Sequence, residues 1–225
     1  MARHLDLEEQ EQLDELKHFW NQYGNLISWF LIAVLGAFAL WNGWQYWQRT
    51  QGARASTLYD EVERAAIAGD TGRVEQAVKD MRDRYGRTAY TQQAALLAAK
   101  VLADKGKTDA AKSDLQWVAS EGHDEGYKAV AKLRLAGMLM DAKAYDDALK
   151  QLSSGLPREF DGLAADRRGD IYNLQGKKDQ AKDEYTKAWK ALPPESDYRP
   201  LLEVKLTALG FDVQTLKGAP ETAKS

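Results

Sequence analysis

Between Lys17 and Arg49 the chain carries no formal charge apart from whatever proton His18 takes up, and residues 26–47 inside that gap are almost wholly apolar. At 1.5 Å per residue this stretch makes a helix of roughly 33 Å, enough to cross a hydrocarbon core of about 30 Å with a little tilt. Water cannot accommodate such a surface, so the rest of the fold must be arranged around one membrane span. Trp20 and Tyr23 stand at one end, and Trp41, Trp44, Tyr46 and Trp47 at the other, where interfacial aromatic belts belong. Five of the seven tryptophans lie between positions 20 and 47, a clustering that a buried core helix of a soluble protein does not explain.

The mean hydropathy of -0.57 excludes a chain that crosses the membrane many times. With 44% hydrophobic and 29% charged residues among 225, the part after the span can hold one sizeable domain. There are no cysteines, so disulfides and thiolate metal sites are excluded. The three histidines, His4, His18 and His123, are far apart in sequence, and a catalytic triad or a histidine metal site would rest on His123 alone. The net charge of -3 is concentrated in residues 1–25, which hold six acids, Asp6, Glu8, Glu9, Glu11, Asp14 and Glu15, against Arg3 and Lys17. The remainder is close to neutral, too weakly basic to hold nucleic acid by charge.

Residues 1–25 read as a solvated acidic leader, partly disordered; the spacing of Leu5, Leu7, Leu13 and Leu16 leaves a weakly amphipathic helix as the alternative. Ala37-Phe38-Ala39 has the small-x-small form of a signal-peptidase site, but the leader is acidic and long, and the apolar run continues past the cut. An uncleaved anchor at 26–47 is therefore expected. Within it Ala33, Gly36, Ala37 and Gly43 collect toward one side, a candidate packing face for a neighbouring helix. Arg3 and Lys17 before the span face Arg49, Arg54 and Arg64 after it, so the charge rule leans by one residue toward a cytoplasmic carboxyl-terminal domain.

After a linker at 48–55 the pattern becomes amphipathic helices broken by short polar or glycine-containing turns, with scarce strand signals and all five prolines at or beyond Pro157. The helices come in pairs that repeat. Ala77, Ala111, Ala148 and Ala181 fall at separations of 34, 37 and 33, each followed four residues later by Met81, Leu115, Leu152 or Tyr185. In the last pair Gly169, Tyr172, Gly176, Ala181, Tyr185, Ala188 and Pro193 match the spacing of the tetratricopeptide pattern, where small residues let two helices approach and an aromatic fills the gap. The first pair fits worst: Glu61, Arg64 and Arg84 occupy places that a repeat keeps apolar or small, as an end cap would. The fold class expected is all-α, one amino-terminal transmembrane helix followed by an α-solenoid of about four helical hairpins over 56–210. A final helix at 198–209 covers the open end, and 211–225 is a flexible tail, disordered from Lys217 onward.

No phosphate loop, dinucleotide fingerprint, zinc-protease motif or nucleophile elbow occurs. Asp146 with Asp147, and Asp166 with Asp170, lie on amphipathic helices beside basic residues and read as solvated faces. No cofactor, metal or catalytic residue is expected. What remains is the concave face made by the first helix of each pair, which by register presents Leu96, Lys100, Leu133, Gly137, Met140, Asp166, Asp170 and Asn173. That mixed groove suits a peptide segment or a partner helix and lacks the concentrated lysine and asparagine of repeats that clamp a terminal carboxylate.

Leu16-Lys17-His18-Phe19-Trp20 after an acidic leader, Gly43-Trp44-Gln45-Tyr46-Trp47, Lys132-Leu133-Arg134-Leu135-Ala136, Ala165-Asp166-Arg167-Arg168-Gly169-Asp170 and Gly176-Lys177-Lys178-Asp179 together resemble the YfgM family of Gram-negative bacteria, over nearly the whole chain. The resemblance implies a non-enzymatic, single-pass inner-membrane protein with its amino terminus in the cytoplasm, against the lean of the arginine count, and its repeat domain in the periplasm. It also implies an ancillary subunit of the SecYEG translocon that pairs with the membrane-anchored periplasmic chaperone PpiD and passes secreted and outer-membrane proteins onward. A second reading from the same features is a scaffold for another envelope-assembly or cell-division complex.

Overall fold

A computed structural model describes residues 7–153 and 155–213, without the side chains of residues 7–12 and 14–16. The first six residues of the leader and the tail expected at 217–225 lie outside the described residues. The described residues form helices and turns with no strand: α1 (Leu7–Ile67), α2 (Thr71–Tyr85), α3 (Ala89–Asp104), α4 (Thr108–Glu121), α5 (Glu125–Asp141), α6 (Tyr145–Gln151), a 3-10 turn (Arg158–Phe160), α7 (Asp161–Leu174), α8 (Lys178–Ala191) and α9 (Arg199–Ala208). They divide into two units, Met1–Ala53 and Arg54–Ser225.

In the first unit α1 is helical from Leu7, so the helical alternative describes the leader from that point on. Glu, Gln and Leu are good helix formers, and no proline interrupts them. The stretch 48–55, expected as a linker, also continues α1 without a break. Its single Gly52 costs only about 1 kcal/mol in a helix, too little to end one that is extended at both sides. Apolar side chains along the span face outward all round, with Leu40 78% and Leu26 70% exposed. The one helix among the described residues that is long and apolar enough to cross a membrane is the segment Lys17–Ile67, and its most apolar window is only 6% buried. Two polar side chains at its far end bond back to their own helix, Asn42 Nδ2 to the Phe38 carbonyl at 3.0 Å and Thr50 Oγ1 to the Tyr46 carbonyl at 2.9 Å. Such bonds satisfy polar groups without outside partners, which a lipid environment requires.

The second unit is built on one turn used repeatedly. Asp70, Lys107, Ala144 and Lys177 each donate their N–H to the carbonyl five residues back, of Ala65, Leu102, Leu139 and Tyr172, over 3.0, 2.8, 2.9 and 2.9 Å. The residue before each, Gly69, Gly106, Lys143 and Gly176, has a φ between 60° and 75°. This is the left-handed closure that caps a helix's last carbonyls and reverses the chain. Three of the four places hold glycine, which adopts that conformation without strain, and one holds Lys143. Each turn joins a first helix to a second, giving hairpins from the end of α1 with α2, α3 with α4, α5 with α6, and α7 with α8.

The turns correct the register of the first hairpin. Five residues beyond each turn residue stand Val74, Ala111, Ala148 and Ala181, all fully buried, and four further on Val78, Leu115, Leu152 and Tyr185, at most 2% exposed. Val74, and not Ala77, is therefore the equivalent of the later alanines; Ala77 with Met81 copies the small-then-large step three residues out of phase. In this register Val62, Ala65, Val74, Val78 and Met81 are all core. Glu61 and Arg64 take the places of Ala98 and Val101 in the next hairpin, where a preceding hairpin would pack. An open cavity of about 550 Å³ lies there, floored by Ala65, Ala68 and Ala77 and rimmed by Glu61, Arg64, Arg73 and Asp80. Charges at an unfilled seat let the solenoid end in water, so the charged first hairpin is a cap.

Successive hairpins are tied by basic side chains that reach across. Arg82 on α2 meets Asp114 on α4 at 2.5 Å and lies 4.7 Å from the centre of the Trp117 ring. Arg134 donates to the Leu96 carbonyl at 3.0 Å, and Arg168, paired with Glu184 of its own hairpin at 2.7 Å, donates to the Leu152 carbonyl of the preceding one at 2.9 Å. Buried Gln92 accepts from the backbone N–H groups of His123 and Asp124 at 3.0 and 3.1 Å, fixing the loop before α5. Between α7 and α8 a Cβ on Gly169 would collide with the Tyr185 ring, the close approach that the small-residue position provides.

Beyond α8, α9 ends in the same turn: Phe211 N–H donates to the Leu206 carbonyl at 3.0 Å, and Gly210 has a φ of 76°. The final helix is thus the first half of a fifth repeat. Leu202 and Leu206 are its fully buried face, joined in one cluster with Tyr185, Trp189 and Val213.

Candidate functional site

The first helices of the hairpins, ending in α9, supply the concave face, and the eight residues expected on it divide into two groups. Leu96 is only 7% exposed and belongs to the core. Asp166 is 2% exposed and is held by two groups, the Lys205 ammonium at 2.7 and 2.8 Å and the Tyr198 hydroxyl at 2.7 Å. Asp170 accepts from the Tyr185 hydroxyl at 2.8 Å and lies 2.7 Å from Lys205. The reading of Asp166 and Asp170 as a solvated face is therefore corrected. Their lysine comes from α9, 39 residues after Asp166, a distance at which helix periodicity gives no signal. Burial and the hydrogen bond to Asp170 push the Tyr185 phenol up, and burial and the bond to Asp166 do the same at Tyr198, so both hydroxyls stay protonated donors.

The other five face outward to different degrees. Lys100 and Asn173 are exposed, while Leu133, Gly137 and Met140 are half-buried. Leu133 and Met140 lie against the cluster of Ala136, Ala148, Leu152 and Ile171. The open part of the concave face therefore runs over α1, α3 and α5, and its far end is closed by the Lys205 network.

Three tyrosines on that open part escaped sequence reading. Tyr59 on α1 and Tyr90 on α3 have ring centres 6.0 Å apart, tilted by 52°. Tyr127 on α5 accepts a hydrogen bond at its hydroxyl from the Gln93 side-chain amide on α3. Tyr90, Tyr127 and Phe160 recur at separations of 37 and 33, the same steps as the turns, and each stands at or beside the start of a first helix. That periodicity was the available signal. Burial and then the Glu63 carboxylate push the Tyr59 phenol up.

In the span, Ala33, Gly36, Ala37 and Gly43 are exposed, and a Cβ on either glycine would meet nothing within 4 Å. At 100° per residue Gly36 and Gly43 share a side, whereas all four spread over about 120° of the helix. Among the described residues no group of three or more His, Cys, Asp or Glu side chains could hold a metal ion.

An outward-facing apolar helix long enough to cross a membrane and a run of hairpins closed by one recurring turn define a membrane-anchored helical-repeat protein. Residues 17–211 match the family model of the tetratricopeptide repeat-like domain. The chain is 31% identical to a Neisseria gonorrhoeae protein over 214 residues, which cover 93% of this chain and 100% of that one. It is 30% identical to an Escherichia coli protein over 197 residues, 86% of this chain and 91% of the relative. A Haemophilus influenzae protein is also 30% identical, over 190 residues, 81% and 89% of the two chains. All three relatives are named ancillary SecYEG translocon subunit. The chain belongs to this family of ancillary SecYEG translocon subunits, the YfgM family, whose repeat domain is of a scaffolding kind.

Proposed function

We propose that this chain is a non-enzymatic adaptor held in the bacterial inner membrane by residues 26–47, with its amino terminus in the cytoplasm and its repeat domain in the periplasm. There it associates with the SecYEG translocon, pairs with a PpiD-type membrane-anchored periplasmic chaperone, and helps pass secreted and outer-membrane proteins onward. The observation that carries this reading is the joining of one outward-facing apolar helix to a repeat domain with an open concave face, in a chain about as long as relatives named for the translocon. Lys100, Leu133, Gly137, Met140 and Asn173 take the partner segment. Leu96, Asp166 and Asp170 shape the groove from within. The side of the span that carries Gly36 and Gly43, with Ala33 and Ala37 flanking it, packs against a membrane helix of the complex.

Protease added outside spheroplasts tests the compartment and the orientation together. The repeat domain is expected to be cleaved without breaking the inner membrane. Protection until the membrane is broken would overturn the periplasmic assignment.

A further inference from the structure

The two ends of the concave face differ in how their carboxylates are balanced. At the α7 end, Lys205 neutralises Asp166 and Asp170. At the opposite end, Asp60 and Glu63 on α1 are exposed and make no ion pair among the described residues. Arg64, one turn along from Asp60, directs its Nε to the Asp60 backbone carbonyl at 3.2 Å. Lys100 on α3, 37 positions after Glu63 and so its equivalent in the next hairpin, is exposed and makes no ion pair among the described residues. Beside these acids stands the Tyr59–Tyr90 pair, with Tyr90 39% exposed and the Tyr59 hydroxyl hydrogen-bonded to the Glu63 carboxylate. Aromatic faces carry negative charge density and attract cations, and a neighbouring carboxylate adds to the attraction.

We propose that Tyr59, Tyr90 and Glu63 form a seat for an arginine or lysine side chain presented by an extended segment of polypeptide, with Asp60 adding to the field. The proposal rests on the reading of the concave face as a polypeptide groove, and it names what that groove selects. Charge complementarity points to a cation, since two acids with no ion pair among the described residues and two aromatic faces would repel or waste an anionic side chain. The extended form follows from spacing. Packed helices stand about 8–10 Å apart, and side chains on one face of an extended chain recur about every 7 Å, so residues two apart meet the Tyr59–Tyr90 pair and then Tyr127 with Gln93. Lys100 limits the cationic preference to the first position.

The test uses the full chain in detergent micelles and a fluorescein-labelled, unstructured peptide of twelve residues in a Gly-Ser background, with one central arginine and a valine two residues on. A matched peptide carries glutamate in place of arginine. The arginine peptide is expected to bind about five- to tenfold more tightly, the size of a cation–π contact at a partly desolvated ring. Tyr90→Ala and Glu63→Gln should each bring its affinity close to that of the glutamate peptide, and Lys100→Glu should tighten it. Glu63 is exposed, so Glu63→Gln keeps the test valid if Tyr90→Ala disturbs folding, which thermal unfolding would reveal. Equal affinity for the two peptides, or unchanged binding by Glu63→Gln, overturns the cation seat and leaves the groove reading standing. Failure of both peptides to bind overturns the cation seat and the groove reading together.

Discussion

The Lys205 ammonium on α9 lies 2.7 Å from Asp166 Oδ1 and 2.7 Å from Asp170 Oδ1, so one cation on the final half-repeat neutralises two acids on α7. Tyr198 and Tyr185 complete the network by donating to the same two carboxylates. Replacing Lys205 by Met should destabilise the full chain by about 3–5 kcal/mol, because it leaves Asp166 buried and charged with only the Tyr198 hydroxyl to balance it. The pair Lys205→Met with Asp166→Asn should recover part of the loss. Urea unfolding followed by circular dichroism measures both, and a loss below about 0.5 kcal/mol, the level of an exposed ion pair, would contradict the account.

Lys143 is the one residue other than glycine found with positive φ among the described residues, at 60°. The other three intra-hairpin turns place glycine there. Lys143→Gly should stabilise the protein by up to about 1 kcal/mol, since it removes the crowding that an L side chain suffers in the left-handed region. The urea midpoint should rise, and a fall would show that the lysine side chain has a role that its backbone strain conceals.

Gly169 faces the Tyr185 ring at a distance that leaves no room for a methyl group. Gly169→Ala should cost about 1–3 kcal/mol through overpacking. Combining it with Tyr185→Leu should give a smaller loss than the two single changes added together, a coupling that a double-mutant cycle reads directly.

Burial pushes the Asp114 carboxyl up to about 6, although the Arg82 guanidinium pulls it down. The folded chain therefore holds this proton at a pH where the unfolded chain has released it. The stability gained is fully present below about pH 4 and is lost as the pH rises through about 6, a change of at most about 3 kcal/mol. Asp114→Asn should remove that contribution, so the difference between the two proteins in urea should change between pH 4 and 7. A difference that stays constant across the window would show that Arg82 holds the carboxylate ionised throughout.

The sequence made the repeat legible wherever local rules act alone. Ala181, Tyr185 and Gly176 could be placed because small-residue packing and a left-handed turn each leave a mark on a few neighbouring positions. The first hairpin was misread by three residues because Ala77 and Met81 imitate the small-then-large step, while Val74 and Val78, the true core pair, offer no small residue to recognise. Gly69 carried the correct register, since the turn, and not the alanine, sets where the second helix begins. Lys100 is exposed and Met140 half-buried, whereas Asp166 and Asp170 could not be told from solvated acids by register. Their partner Lys205 lies on another element, and only the packing of α9 brings it to them. The Tyr59–Tyr90 pair was hidden for the same reason, with its two rings 31 positions apart in the chain.

The central claim is that the concave face receives translocon partners or their clients at the membrane. A photo-crosslinking amino acid at Met140, half-buried on the open part of that face, tests it in native membranes. The account predicts adducts with translocon subunits, a membrane-anchored periplasmic chaperone or emerging secreted chains, while the same probe at Arg84, exposed on α2, gives few. Adducts with cytoplasmic proteins alone, or equal yields at the two positions, would contradict it.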